Sequence, residues 1–449
     1  MNKEIKVAFI SLGCAKNLVN TEQMMALCRD AGLTLASAPE GADVVVVNTC
    51  GFIDSAKEEA IDNILAMGEL KKRGQLKKIL VAGCLAQRYK DEILDSMPEA
   101  DGILGTGSYG EIVSAVREVL ADETPKRFGS IHAPVEELDR VVTTPPYTAY
   151  LRIAEGCDNQ CAFCVIPSLR GKYRSRKWEN VLAEAKKLAD SGVKEIIVIA
   201  QDITRYGTDN YGKRRLPELI HELCKLDFHW VRLHYLYPDE FDDELIDAIA
   251  TEPKVLKYLD IPIQHCNDKI LAAMNRRGDK DYLLALFARL REKIPGLVLR
   301  TSIITGLPGE GEAEFDELCA FLREVRIERA GVFPYSPEEG TSAARMENRV
   351  DEDEARRRAE LLVDVQSRVM DEYNEKMLGE TVEVLCEGFD DASMGYVGRS
   401  YAESVDIDGK IYFSSERDLD AGEFVMVRIT GTMDGELTGE AVGTEVNIT

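Results

Sequence analysis

Short apolar runs alternate with stretches of helical period through the first 120 residues. Lys6–Ile10 and Ile79–Ala82 are brief apolar runs, and Asp43–Val47 reads DVVVV. A continuous run of β-branched residues fits a strand buried on both faces of a parallel sheet. Helical patterns follow each run, at Thr21–Ala31, Ser55–Lys72 and Gln87–Ser96. The βαβαβ rhythm predicts a parallel sheet covered by helices. Residues 121–146 show no clear period, carry prolines and end in VVTTPPY, so they read as a linker. From 147 the rhythm resumes, with strand candidates at Ala149–Ala154, Glu195–Ala200, Val231–Tyr235, Tyr258–Ile263, Val298–Thr305 and Ala330–Tyr335. Helices such as Trp178–Ser191 and Glu312–Arg326 lie between them. Six βα units predict a partial barrel, short of a full eight-unit one.

A charged helix is expected from Asp351 to about Met377. The pattern then turns all-β, in VEVLC, YVGRSYAE, VDIDGKIYF, FVMVRITG and LTGEAVG. About five short strands separated by Gly and Asp predict a small barrel of oligonucleotide-binding type. The expected divisions are 1–120, the linker 121–146, 147–376 and 377–449. The fold class is α/β, with an all-β unit at the end.

Composition adds two facts. The formal net charge of the 449 residues is −25, which repels phosphate backbones and suits a basic partner. Eleven cysteines are many for a chain whose start, MNKEIKVAFISLGC, lacks a signal peptide's cleavage site and long apolar core. No apolar run approaches the ~20 residues that span a bilayer. A cytoplasmic protein with no membrane association is expected. Disulfides are rare there, so metal or catalytic use of the cysteines comes first.

Cys157, Cys161 and Cys164 stand in EGCDNQCAFCVIP, on the loop after the first strand of the second unit. Barrel active sites are built at that edge. Structural zinc asks for four protein ligands, and no histidine is near. A cubane iron–sulfur cluster takes one thiolate per iron. Three thiolates leave one iron open, and that iron can chelate the amino and carboxylate groups of S-adenosylmethionine for reductive cleavage. Cys14, Cys50 and Cys84 end ISLGC, VVVVNTC and ILVAGC. Each lies at the C-terminal edge of a predicted parallel strand, where ligands of open α/β sheets bind. Three cysteines about 35 residues apart can therefore converge and hold a second open cluster. Cys28, Cys224 and Cys319 fall on helices and read as small buried hydrophobes.

Weaker candidates follow the barrel strands: Gln201 and Asp202 after the second, His234 in the third, Gln264 and His265 after the fourth. Gly306 and Gly309 in TGLPGE offer close backbone approach to a nucleoside. Arg170, Arg174 and Arg176 in LRGKYRSR are candidates for a carboxylate of cofactor or substrate.

CxxxCxxC with aromatic Phe163 before its last cysteine resembles the radical S-adenosylmethionine superfamily. The whole layout resembles the methylthiotransferases, with an N-terminal cluster domain, a radical S-adenosylmethionine barrel and a C-terminal TRAM barrel. SLGCAKNLVNTE at 11–22, AQDITRYG and RLHYLYP are similar to the RimO branch, with Asn20 where that branch usually has Asp. The resemblance implies two [4Fe–4S] clusters and two S-adenosylmethionine molecules per turnover. One serves as methyl donor to sulfur on the N-terminal cluster. The other is cleaved to a radical that takes hydrogen from an aspartate β-carbon of ribosomal small-subunit protein twelve. It also implies a low-potential electron donor such as flavodoxin or ferredoxin. The alternatives are a tRNA adenosine methylthiotransferase of MiaB type and a non-catalytic iron–sulfur electron carrier. Residues 377–449 carry sixteen acids and only Arg399, Lys410, Arg417 and Arg428 as bases. That balance argues against direct nucleic-acid binding and favours the basic protein substrate. The expected state is a monomer.

Overall fold

Residues 4–442 are described by the computed structural model. The last seven predicted residues of the terminal barrel, including Glu445, lie outside the described residues. Six strands form the first sheet: β1 (Lys6–Ser11), β2 (Thr34–Leu35), β3 (Val44–Thr49), β4 (Lys78–Gly83), β5 (Gly102–Leu104) and β6 (Lys126–Arg127). All pair in parallel, in the order β2-β1-β3-β4-β5-β6. Every residue of β3 is buried, as its unbroken valine run demands. The segment 121–146 supplies β6 as the edge strand, so part of it belongs to this sheet. The first helix runs Ala15–Asp30 and starts six residues before the predicted Thr21, because Cys14 is its extended N-cap. The helix predicted at Gln87–Ser96 is split into Cys84–Tyr89 and Asp91–Ser96 by Lys90, whose φ is +48°.

The second unit contains β7 (Thr148–Arg152), a small antiparallel pair β8 (Ala154–Glu155) and β9 (Arg174–Ser175), then β10 (Glu195–Ile199), β11 (Trp230–Leu233), β12 (Val255–Asp260), β13 (Val298–Thr305) and β14 (Arg329–Pro334). Its parallel sheet runs β14-β13-β12-β11-β10-β7. Six strands in chain order without β7–β14 pairing make the partial barrel expected from the pattern. Helix Glu352–Met377 follows, with the Asp351 side chain capping it through the amides of Asp353 and Glu354. The third unit is a closed barrel of β15 (Thr381–Asp390), β16 (Gly395–Arg399), β17 (Ile411–Ser414), β18 (Phe424–Met433) and β19 (Glu436–Ala441). No helix among the described residues is long and apolar enough to cross a membrane.

The β16–β17 connection, Ser400 to Lys410, lies along the inner face of the partial barrel. Arg399 Nη2 meets Glu195 at 2.8 Å on β10, and Arg232 on β11 donates to the Tyr401 carbonyl at 3.0 Å. Tyr258 on β12 donates to Asp408 at 2.6 Å, and Arg329 on β14 meets Glu403 at 2.8 Å. Ala402 packs with Tyr147, Tyr258 and Val298. The terminal barrel is thus docked by a buried polar network, with Glu195 shared by Arg399 and Arg232. Glu195→Ala leaves two buried guanidiniums without that partner and is expected to cost about 3–5 kcal/mol, read from the denaturant midpoint. Burial raises the Glu195 pKa, but Arg399 and Arg232 outweigh it and hold the carboxyl down to about 2. Its stabilisation is complete above the ordinary glutamate range and fades as pH falls toward 2, so wild type and variant should converge in acid.

Candidate functional site

Cys14, Cys50 and Cys84 follow β1, β3 and β4 and meet at one edge of the first sheet. Two glycines make the approach possible. A Cβ on Gly13, whose φ is +85°, would lie 2.7 Å from Cys50 Cβ and 3.0 Å from its sulfur. One on Gly51 would lie 2.9 Å from the Leu85 backbone and 3.1 Å from the Cys84 carbonyl carbon. Each cysteine loop therefore rests on the next through a missing side chain. Cys14 keeps an accessible rim, yet desolvation is the largest influence on its thiol and raises its pKa. Lys16, Arg170 and the amides of Asn17 and Lys16 outweigh it, so the net shift is downward. Burial dominates at Cys50, pushed up to about 11, and at Cys84, also raised.

Cys157, Cys161 and Cys164 sit between β8 and helix Ile166–Arg170. The Asn159 amide donates to Cys157 Sγ at 3.4 Å, and the Ile166 amide to Cys164 Sγ at 3.4 Å. Cys161 Sγ lies 3.6 Å from both Tyr237 Oη and Arg276 Nη1. Burial pushes Cys157 up to about 11 and Cys164 higher still. Buried thiols in this state ionise only when positive charge is supplied, which bound iron does. Among the described residues no three His, Cys, Asp or Glu side chains meet at a single ion position. A cubane makes a different demand, one thiolate per iron with N–H donors near the sulfurs; each triad offers three thiols, and backbone amides donate to Cys157 and Cys164.

The two triads are neighbours. Cys84 packs with Phe52, Val165 and Leu169, and Val165 follows Cys164 directly. Arg170, one turn further, reaches into the first domain. It donates to Asn20 Oδ1 at 2.7 Å, Asn17 Oδ1 at 3.0 Å and Glu155 at 3.3 Å. Asn20, where the RimO pattern usually has Asp, thus keeps an acceptor for Arg170 without a second carboxylate. The residues after β11 complete the bridge: Tyr235 lies under Lys16 Nζ, 3.4 Å from its ring centroid, while Tyr237 touches Cys161.

Gln201 and Asp202 stand beside the Cys157 loop as supports. Gln201 donates to Glu155 at 2.9 Å, and Asp202 accepts from Asn159 at 2.9 Å. Burial raises the Asp202 pKa to about 6. Phe163 packs among Ile270, Met274, Leu307 and Tyr335. The remaining candidates have contacts within the chain. Arg170, Arg174 and Arg176 all have partners within the chain, although Arg174 Nε has no hydrogen-bond partner among the described residues. Arg170 is engaged as above, Arg174 donates to the carbonyls of Arg170 and Lys172, and Arg176 pairs with Glu137 and Glu184. Gly306 makes room for helix Glu352–Met377, because a Cβ there would lie 2.3 Å from the Ala355 Cβ. Gly309 likewise faces Asn348. His265 Nδ1 accepts from the Asn267 amide at 2.9 Å, and its Nε2 is 3.4 Å from Glu310, itself bound to Arg358. His234 Nε2 lies 2.8 Å from Ser404 Oγ and serves the docked loop. Burial, with Arg232 and Arg300, holds His234 neutral. Gln264 has φ +70° and bridges to β13 through its backbone.

Lys16, Tyr235, Tyr237, Arg276 and Glu155 were not among the sequence candidates. The quoted strings SLGCAKNLVNTE and RLHYLYP contain Lys16 and the two tyrosines. Nothing local marks Arg276.

Residues 6–105 match the uncharacterized protein family UPF0004, residues 151–322 the radical SAM superfamily, and residues 378–442 the TRAM domain. The chain is 46 % identical over 440 residues to the ribosomal protein uS12 methylthiotransferase RimO of Clostridioides difficile (strain 630), covering 98 % of this chain and 99 % of that one. It is 47 % identical over 443 residues to the protein of that name from Pelotomaculum thermopropionicum, covering 98 % and 99 %. Among solved structures it is similar in fold to the radical S-adenosylmethionine methyltransferase TsrM from Kitasatospora setae, with cobalamin and a [4Fe-4S] cluster bound. There the TM-score is 0.56 at 12 % identity, with 76 % of this chain and 77 % of that chain covered.

Proposed function

The chain belongs to the RimO family of ribosomal protein uS12 methylthiotransferases, and from that premise we propose that its two triads each hold a [4Fe–4S] cluster and together add a methylthio group to an aspartate β-carbon of uS12. It is a radical S-adenosylmethionine enzyme that acts on uS12, and it uses an iron–sulfur cluster and S-adenosylmethionine. The observation that carries the two-cluster reading is the shared junction. Cys84 packs on Val165, and residues after β11 contact Lys16 through Tyr235 and Cys161 through Tyr237.

When bound, the clusters supply one-electron cleavage of S-adenosylmethionine at one triad and a site for transferable sulfur at the other. The chain's own residues bind, orient and shield. Cys157, Cys161 and Cys164 would hold the first cluster, which three thiolates would leave with an open coordination position for S-adenosylmethionine. Arg276 donates toward Cys161, the Tyr237 hydroxyl touches its sulfur, and Asn159, braced by Asp202, fixes the loop. Cys14, Cys50 and Cys84 would hold the second, with Lys16 and Arg170 acting on the Cys14 thiol. Arg170 ties the two loops so that radical and sulfur sources keep their separation. No general base is needed, because the aspartate β-carbon is opened by hydrogen abstraction. A low-potential donor such as flavodoxin or ferredoxin delivers the electron.

Charge supports the protein substrate over tRNA. Three of the terminal barrel's four bases are already paired: Arg399 with Glu195, Arg417 with Glu423 and Lys410 with Glu387. Little remains to attract phosphate, while the acids suit a basic protein. Reduced, reconstituted enzyme with uS12, S-adenosylmethionine and sulfide should give uS12 whose mass rises by one methylthio group in place of hydrogen, mapped to one aspartate. Unmodified uS12 alongside tRNA that gains the group would overturn the assignment.

A further inference from the structure

Lys16 is a buried cation in an unusual position. It is only 7 % exposed, two residues from Cys14, at the start of helix Ala15–Asp30. Its ammonium rests on the Tyr235 ring at 3.4 Å. Among the described residues no carboxylate comes within ion-pair distance of it. The carboxylate of Asp260 is already taken, by Arg300 at 2.7 Å and by the Tyr235 amide at 3.3 Å. Tyr235 itself adopts φ +65°, a left-handed conformation that an aromatic residue rarely takes. Such strain persists where the surroundings hold it, and it clusters at ligand-binding positions. An aromatic face compensates a buried ammonium in part, but a buried charge is normally paired.

We propose that Lys16 binds the carboxylate of the substrate aspartate and so fixes the reacting β-carbon between the two triads. The inference rests on the aspartate reading given above. The β-carbon is bonded directly to the carboxyl carbon, so an ion pair to Lys16 restricts it to the immediate vicinity of the Cys14 side of the junction. The same contact discriminates substrates. A site built around a buried cation that has no carboxylate partner disfavours an isosteric amide, because the charge would then be buried without a counter-ion. Lys16 is therefore a specificity-determining residue, distinct from the cysteines.

The test is a double-substitution cycle on anaerobic, reconstituted holoenzyme without reductant, so that binding is read without turnover. Wild type and Lys16→Gln are each titrated with uS12 and with uS12 in which the target Asp is changed to Asn. Lys16→Gln should weaken binding of native uS12 by at least about thirtyfold, as expected for removing one member of a buried charge pair. The Asn substrate should bind wild type about as weakly, with no further loss in Lys16→Gln. Lys16→Arg, which keeps the charge, should recover part of the affinity for native uS12 alone. Iron content should match wild type in both variants, since no cysteine is altered. Equal losses for the two substrates, unchanged affinity, or loss of iron on substitution would each overturn the proposal. Mass spectrometry of uS12 treated with reduced wild-type enzyme separately reports whether aspartate is the target, so failure of that premise is distinguishable from failure of the Lys16 assignment.

Discussion

Replacing Cys157, Cys161 and Cys164 together by alanine is expected to abolish release of 5′-deoxyadenosine from S-adenosylmethionine and to leave about four irons per chain instead of about eight. All three sulfurs sit on one short loop, and each receives or faces a donor from the surrounding frame. Alanine removes the thiolates and leaves that frame intact. The loop is held by Asn159–Asp202, by Phe163 in its apolar pocket and by the Cys157 amide on the Gly171 carbonyl. The variant should therefore fold, bind the other cluster and fail only at cleavage. Iron analysis and chromatographic assay of 5′-deoxyadenosine check this. Cleavage at a wild-type rate would remove the radical role from this loop.

The second large effect is the complementary one. Cys14, Cys50 and Cys84 replaced by alanine should again halve the iron, yet leave cleavage of S-adenosylmethionine in place while methylthio transfer to uS12 falls below detection. These cysteines lie on three separate strand ends, so no local loop collapses when they are lost. Alanine is smaller than cysteine and fits the tight contacts at Gly13 and Gly51. The two triads are thus predicted to fail in opposite ways, separating the source of the radical from the source of the sulfur. If both variants lost cleavage equally, the division of labour would be wrong.

Much of this site is written locally in the chain. The x3-x2 spacing of Cys157, Cys161 and Cys164 needs no tertiary information, because a single loop brings the sulfurs together. The wider triad is legible for a different reason. Parallel strands place equivalent positions at one sheet edge, so cysteines ending three successive strands converge even at long separation. The closed terminal barrel was visible in its alternating short runs.

What stayed hidden depends on docking between domains. Arg170 reads as a free basic residue in LRGKYRSR, but its partners Asn17 and Asn20 lie about 150 residues earlier. The glycines of TGLPGE read as a ligand cradle, yet Gly306 makes room for Ala355 on a later helix. His234 is spoken for by Ser404, 170 residues away. Lys16 sits in the middle of a quoted motif and has no visible role until Tyr235 is brought beneath it. Strand-end position identifies the active face, but it does not tell which polar groups there are already paired.

The most direct measurement uses uS12 carrying deuterium on the aspartate β-carbon, incubated with reduced enzyme, S-adenosylmethionine and sulfide. Two clusters acting across one junction predict deuterium in the released 5′-deoxyadenosine and a methylthio group on the carbon that lost it. Release of 5′-deoxyadenosine free of deuterium, with a methylthio group nonetheless present on uS12, would contradict them.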